Sequence, residues 1–413
     1  MKFWGILPQP ILRFRNGTAT NPFNGYKMNL GPYKTLDEIR CVAFVNVKVN
    51  SDFSQFIDNF INGHRGYPGF PKQFDISVKY PIDIIQFSTI NELTDIVESD
   101  NFEEKYDIAI VTVPEKMFLN PENDYYISPK RLFAKIGLPS QMVATSSVKY
   151  GANNPYLLFN FGLSVFTKAG GLPWTLHEHL SSDLFVGVDL SIMKNKSFLG
   201  ITLLSQYPDL NIMWFLEENT GFLEVINPDV FKKKLQDALE YLVNESDLNI
   251  NTITFHRDGT FFDSDILTIR SVIKSISEKL SKTINYQLIE IKKSGVPKHY
   301  TRLLEKYGVP EKGFYFRLDK YTYLLTTAGY PDIMPFTPSG YVNPLKITIV
   351  DSNYQPKILT TLRDILSLTE LHFASGFRPP KLPITTLYAH RVAQFATAGV
   401  IPKKYLNTRL WFL

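Results

Sequence analysis

The sequence predicts an α/β chain of two domains, the first around a parallel sheet and the second around a mixed one. Three observations carry that expectation. Over the first half, apolar runs of strand length such as YDIAIVTV (Tyr106–Val113) alternate with segments of helical spacing, the pattern of a sheet covered on both faces. From Leu184 onward, strand-like runs instead follow one another across short polar turns, as in an antiparallel meander. The length of 413 residues suits one large or two ordinary domains.

Residues 1–40 are rich in Pro, Gly and Asn (PQP, NGTATNPFNGY, GPYKT) and read as extended segments and turns laid over another domain. CVAFVNVKV (Cys41–Val49) reads as a strand, FSQFIDNFI (Phe53–Ile61) has helical spacing, and QMVATS (Gln141–Ser146) reads as another short strand. Together with Tyr106–Val113 this alternation predicts a Rossmann-like domain over 41–170. Tyr156–Lys168 reads as a buried helix ending at Gly170-Gly171, a pair suited to a helix C-cap.

The second domain is expected over 171–413. LFVGVDL, SFLGITLL and NIMWFLE form the meander. A helix follows at Pro228–Leu242, with Asn227 as N-cap and Pro228 at the first helical position. Phe231, Leu235, Ala238, Leu239 and Leu242 make its apolar stripe, leaving Lys232–Lys234 to solvent. NTITFHRD then returns to the sheet, and Ile284–Lys292, Phe314–Leu318, Tyr321–Thr327, Leu345–Val350 and two C-terminal helices complete it. Three strands, a helix and a further strand, with Asp closing the first and fourth strands, is the RNase H-like order.

Composition excludes some classes and leaves others open. Apolar content of 44% supplies packed cores, while a net charge of +4 neither argues for nucleic acid nor against it, since a local basic groove is what matters. The 31 Phe and 22 Tyr suggest base-stacking platforms but are expected mostly in strand cores. A single cysteine, Cys41, rules out an intrachain disulfide framework and suggests a reducing, cytoplasmic setting. The start MKFWGILPQPIL makes a poor signal peptide, and no uncharged apolar run is long enough to span a membrane. No membrane contact is therefore expected. There is no Walker-type glycine loop, and no Ser-His-Asp or Cys-His arrangement stands out. His177-Glu178-His179 reads as a loop, because neighbours at this spacing do not share a helix face and two histidines are too few for a closed zinc site.

Four side chains carry most of the chemistry: Asp189 in FVGVDLS, Glu224 in GFLEVINP, Asp258 in ITFHRDGT and His390 in LPITTLYAHRVAQF. Asp189 and Asp258 each end an apolar run and so should close a buried strand. Oxygen and imidazole ligands converging from separate elements suit Mg²⁺ or Mn²⁺. Two such ions about 3.5–4 Å apart clamp the attacking and leaving oxygens of a phosphodiester. A second set is VFTKAGGLPW (Val165–Trp174), with DYYISPKRLFAKIGLPSQMV upstream. There Tyr126 and Lys130, four residues apart, would share a helix face, although Pro129 suits a helix only near its start.

On these words the chain resembles the Argonaute family, in a short prokaryotic, archaeal-type form made of MID and PIWI modules only. The resemblance covers about residue 40 to the end. It implies a Rossmann-like MID domain packed on an RNase H-like PIWI domain. Asp189, Glu224, Asp258 and His390 match the family's catalytic tetrad, with Glu217, Glu218 or an ordinary solvated loop as the alternatives at Glu224. Asp189, Asp258 and His390 would then be metal ligands for Mg²⁺ or Mn²⁺. Tyr126, Lys130, Gln141 and Lys168 match the pocket for a guide's 5′ phosphate, with Arg131 competing with Lys130 and an ordinary charged helix start as the bland alternative. The terminal carboxylate of Leu413 would help hold a divalent ion against that phosphate. Arg378 in SGFRPPKLP would contact backbone phosphates or be a surface arginine.

Long relatives also carry N-terminal and PAZ modules, for which this sequence has no room. The resemblance therefore implies a separate protein partner supplying an N/PAZ-like module, and a separate effector. It leaves two function classes open. The first is a sensor programmed by a short 5′-phosphorylated guide, which pairs with complementary invader nucleic acid and signals through partner and effector in antiviral or anti-plasmid defence. The second is a guide-dependent slicing endonuclease. A non-guided RNase H-fold nuclease would leave the K-x-G-G word (Lys168–Gly171) and the closing word WFL (Trp411–Leu413) unexplained.

Overall fold

The computed structural model describes residues 3–114, 124–193, 195–207, 209–221, 225–245, 249–297, 310–329, 343–377, 379–403 and 406–413. By its contacts the chain divides into two units. One comprises Leu12–Thr175, Phe373–Gly376 and Ala398–Leu413, and the other Met1–Ile11, Leu176–His372 and Phe377–Thr397. The division after Thr175 lies close to the expected boundary, but residues 398–413, expected with the second domain, belong by contacts to the first unit. The guanidinium of Arg131 donates to the Gly399 and Ala398 carbonyls, and the Arg409 guanidinium donates to the Ala169 carbonyl.

In the first unit, strands β1 (Cys41–Asn46), β2 (Asp83–Phe87), β3 (Ile108–Val113) and β4 (Ser140–Ala144) form a parallel sheet in the order β2-β1-β3-β4. Val42, Phe44, Val111, Phe133 and Leu138 are among its core residues. The first strand stops at Asn46, where a 3₁₀ turn leads into helix α1 (Asn50–Asn62). Gln141–Ser146 is likewise only partly strand, since Thr145 begins a short helix. β2 escaped the sequence reading because it is an edge strand, and only Phe87 in it is fully buried.

Helix α2 (Asp124–Ile136) holds Pro129 in its interior. The lost backbone donor falls on the carbonyl of Tyr125, a residue 60% exposed and so open to water. Helix α3 (Pro155–Lys168) is capped by Asn154, whose side-chain oxygen accepts from the Tyr156 and Leu157 amides at 3.0 and 3.2 Å. It ends where Gly170 takes φ +106°, and a Cβ there would collide with the Arg409 guanidinium, so this position needs glycine.

One cluster of aromatics packs between helices. Phe53, Phe56 and Phe60 of α1 interlock with Phe70, Phe74, Phe161 and Phe166, all on helices. Edge-to-face and offset pairs of this kind add to area burial.

The second unit is built on a nine-stranded sheet. Its strands are β5 (Leu184–Met193), β6 (Lys196–Ser205), β7 (Asn211–Glu218), β8 (Thr252–Asp258), β9 (Asn285–Lys292), β10 (Phe314–Arg317), β11 (Thr322–Leu325) and β12 (Leu345–Ser352), with Trp4–Ile6 on the edge beside β10. The order is Trp4–Ile6, β10, β11, β12, β9, β8, β5, β6, β7. β5, β6 and β7 are the expected meander, and β8 and β9 add in parallel. The edge strand came from a segment read only as irregular, because its residues stay largely exposed.

Helices α4 (Pro228–Glu245) and α5 (Asp263–Lys279) share one core with this sheet. Phe231, Leu235, Leu239, Ile269 and Val272 meet Val186, Val188 and Leu199 there. Asn227 Oδ1 accepts from the Asp229 and Val230 amides at 3.0 and 3.3 Å, as a helix cap does. Helices α6 (Ile358–Thr369) and α7 (Ile384–Thr397) follow β12. No helix among the described residues is long and apolar enough to cross a membrane.

Candidate functional site

Strand alternation decides which side chains of the second unit meet. Val186 and Val188 point into the core with α4 and α5, so Gly187 and Asp189 lie on the opposite face. Helix α7 packs on that face at close range. A Cβ on Gly187 would come within 2.1 Å of the Thr385 carbonyl oxygen, and one on Gly200 within 2.1 Å of the Ala389 carbonyl oxygen. Both positions admit only glycine at this separation. The same face of β8 carries His256, whose Nδ1 lies 2.9 Å from Thr385 Oγ1.

The register then gathers the acidic residues. Gly187 pairs with His256 and Val188 with Arg257. Continued by one residue, this sets Asp189 beside Asp258 on adjacent strands, which are about 4.8 Å apart. Asp258 ends β8 as expected. Asp189 does not end its strand, because β5 continues to Met193. What ends near Asp189 is the fully buried stretch of β5, as Leu190 to Met193 are partly or fully exposed.

His390 reaches this pair from α7. Its Nδ1 lies 2.6 Å from Asp189 Oδ2, a hydrogen-bond distance. Burial raises the Asp189 pKa, the His390 hydrogen bond and charge oppose the shift, and the neighbouring Asp258 adds to it. Asp258 Oδ2 in turn accepts from Lys293 Nζ at 2.5 Å, and Lys381 Nζ donates to the Lys293 carbonyl at 2.8 Å. Burial, then the nearby Lys293 charge, brings the Lys381 pKa down to about 8. Neither lysine was singled out from sequence, where KKSG and PPKLP look like ordinary turn charges.

Two carboxylates and an imidazole are the right kinds of donor for Mg²⁺ or Mn²⁺. Each, however, is already engaged, Asp189 with His390 and Asp258 with Lys293. Among the described residues, no three Asp, Glu, His or Cys side chains are grouped so that they could hold a metal ion. Glu224 and Arg378 lie outside the described residues. Of the alternatives to Glu224, Glu217 is paired with Lys234 at 2.6 Å. His177 and Glu178 lie in a segment without helix or strand.

The second set of residues converges within the first unit. Lys130 and Lys168 are buried, at 1% and 2% exposure. Lys130 Nζ donates to the Ser140 carbonyl at 2.9 Å and the Trp411 carbonyl at 2.6 Å. Lys168 Nζ donates to the same Ser140 carbonyl at 3.3 Å and to Gln141 Oε1 at 2.7 Å. The Lys130 ammonium also lies 5.7 Å from the Trp411 ring centre, within cation–π range. Burial pulls the Lys130 pKa down to about 7. Arg131 points elsewhere, to the Ala398 and Gly399 carbonyls, so Lys130 is the residue that joins Lys168 and Gln141. Tyr126 is half-buried against the core of the parallel sheet. Leu413 is half-buried, its amide donating to the Leu410 carbonyl at 3.2 Å.

The mixed sheet with its acidic pair defines an RNase H-like protein, joined in one chain to a Rossmann-like α/β unit. The sequence model of the Piwi domain matches residues 115–400, and the chain belongs to that family, the Argonaute proteins. It is 25% identical over 314 residues to the argonaute protein of Aquifex aeolicus (strain VF5), a match spanning 74% of this chain and 41% of that protein. The fold is similar to Clostridium butyricum Argonaute, solved bound to a guide DNA and a 19-mer target DNA, with TM-score 0.76, 22% identity and coverage of 99% of this chain and 54% of that one. Drosophila Piwi gives TM-score 0.77 at 13% identity, covering 99% and 56%. The chain spans about half the length of the solved structures it matches.

Proposed function

We propose that this protein holds a short nucleic-acid guide by its 5′ phosphate and uses it to recognise a complementary invader strand. The observation that carries this reading is the meeting of Lys130, Lys168 and Gln141 around the Ser140 carbonyl. Two buried lysines gathered on one carbonyl suit an anion, because a phosphate would give both of them charge-assisted bonds. Tyr126 would stack on the first base, Gln141 would orient the phosphate, and the Leu413 carboxylate would hold a divalent ion against it. Target recognition would then pass to a protein partner supplying an N/PAZ-like module and to a separate effector.

The test compares 5′-phosphorylated with 5′-hydroxyl oligonucleotides, as RNA and as DNA, on wild type and Lys168→Ala. Tighter binding of the phosphorylated strand, lost in Lys168→Ala, is the expected result. Equal affinity for both 5′ ends in the wild type overturns the reading. For the signalling role, Lys168→Ala should abolish defence in cells while Asp258→Ala preserves it.

A second reading is guide-directed cleavage, favoured by the register that sets Asp189 beside Asp258 with His390 on Asp189. It requires Mg²⁺ or Mn²⁺ together with Glu224. A single metal-dependent cut in the guide's complement, absent in Asp258→Asn, is its signature. No product across guides, metals and temperatures removes it.

A further inference from the structure

Asp258 closes β8, and Lys293 follows directly on Lys292, the last residue of the neighbouring strand β9. The register pairs Asp258 with Ile291, two residues before Lys293 and therefore on the same face. This geometry aims the Lys293 side chain across the strand end at the carboxylate, and its Nζ sits 2.5 Å from Asp258 Oδ2. Lys381 anchors the backbone that carries it, donating to the Lys293 carbonyl at 2.8 Å. It also brings a second ammonium group to the same corner.

We propose that Lys293 is a resident cation of the acidic pair and competes with divalent metal for the Asp258 carboxylate. A metal ion binding there must first displace the Lys293 ammonium. It is then repelled at short range by the positive charge of Lys293 and Lys381. Lys293 has somewhere to go, since its side chain is 40% exposed while that of Asp258 is 12% exposed. The competition therefore weakens metal binding without abolishing it. The acidic pair keeps the RNase H-like position while Lys293 offsets the charge of Asp258 from within the chain and His390 lies within hydrogen-bond distance of Asp189.

The inference does not rest on guide binding, because metal affinity is read with no nucleic acid present. Mn²⁺ titrations followed by the electron paramagnetic resonance signal of the free ion would compare wild type, Lys293→Met and Lys293→Gln with the same variants carrying Asp258→Asn. Removing the ammonium should tighten Mn²⁺ binding by about tenfold or more, and Asp258→Asn should cancel the gain. Equal Mn²⁺ affinity in wild type and in whichever Lys293 variant folds overturns the proposal. So does a gain that survives Asp258→Asn, since the ion would then bind elsewhere.

Discussion

His390 Nδ1 lies 2.6 Å from Asp189 Oδ2, although the two residues are separated by 201 positions in the chain. What joins them is the close seating of α7 on β5 and β6. Gly187 lies under Thr385 and Gly200 under Ala389, with no room for a Cβ at either. The imidazole is thereby delivered to a carboxylate that burial has made reluctant to ionise.

Gly200→Ala should consequently lift α7 from the sheet. A Cβ 2.1 Å from a backbone carbonyl cannot be relieved by a side-chain rotation, and overpacking of this kind costs about 1–3 kcal/mol or more. Urea unfolding would show the midpoint falling. An unchanged midpoint would mean that the helix does not seat this closely.

His390→Ala removes the partner of a buried carboxylate. The Asp189 pKa should rise further, since the His390 hydrogen bond and charge are what oppose its desolvation. A raised carboxylate contributes stability that is lost as pH rises through its folded value. The stability difference between wild type and His390→Ala should thus be larger at pH 8 than at pH 4, at roughly 1–3 kcal/mol. Parallel stability profiles across that range would contradict the pairing.

Phosphate affinity should depend on pH through Lys130. Its folded pKa of about 7 lies below the usual 10.5, so above neutrality the unliganded pocket holds a neutral amine. Binding an anion then requires proton uptake, which costs up to about tenfold in affinity per pH unit. Binding of a 5′-phosphorylated oligonucleotide should weaken from pH 7 to pH 9, and Lys130→Met should flatten that slope. An identical slope in the variant would assign the dependence to another group.

Asp364 offers a stability test away from both sites. Burial lifts its pKa from 3.8 to about 6, although Oδ2 accepts from the Ser181 amide and hydroxyl, and Oδ1 is buried without a partner. The folded state holds this proton more tightly than the unfolded chain. Its contribution is complete below pH 3.8 and lost as pH rises through about 6. Asp364→Asn should therefore stabilise the protein at pH 8 by about 2 kcal/mol and change little near pH 4, as thermal melts would show.

Much of this architecture was legible in the sequence, and the misses have physical causes. The meander, α4 with its Asn227 cap, and the strand ending in Asp258 follow from local periodicity and capping chemistry. β2 and the strand Trp4–Ile6 were not legible, because edge strands bury too little to produce an apolar run. The helical spacing of Phe53–Ile61 and the apolar run Tyr156–Lys168 did place the aromatics of α1 and α3 on helices, whereas their packing against Phe70 and Phe74 is a long-range contact that no local pattern carries. Lys293 carried no signal at all: in a run of turn-like residues, a lysine that meets a carboxylate looks the same as one that meets water.

The sequence by itself determined the kind of chemistry available: two carboxylates at the limits of buried strand, a histidine on a C-terminal helix, and a lysine before a glycine pair. These are statements about a few neighbouring residues, and local backbone preference and hydrophobic periodicity settle them. Only the tertiary structure decided which of these groups meet. The register of β5 with β8 set Asp189 beside Asp258, the two glycines let α7 bring in His390, and the end of β9 brought in Lys293. Such meetings depend on strand pairing and close packing across hundreds of residues, and no local segment of the sequence encodes them.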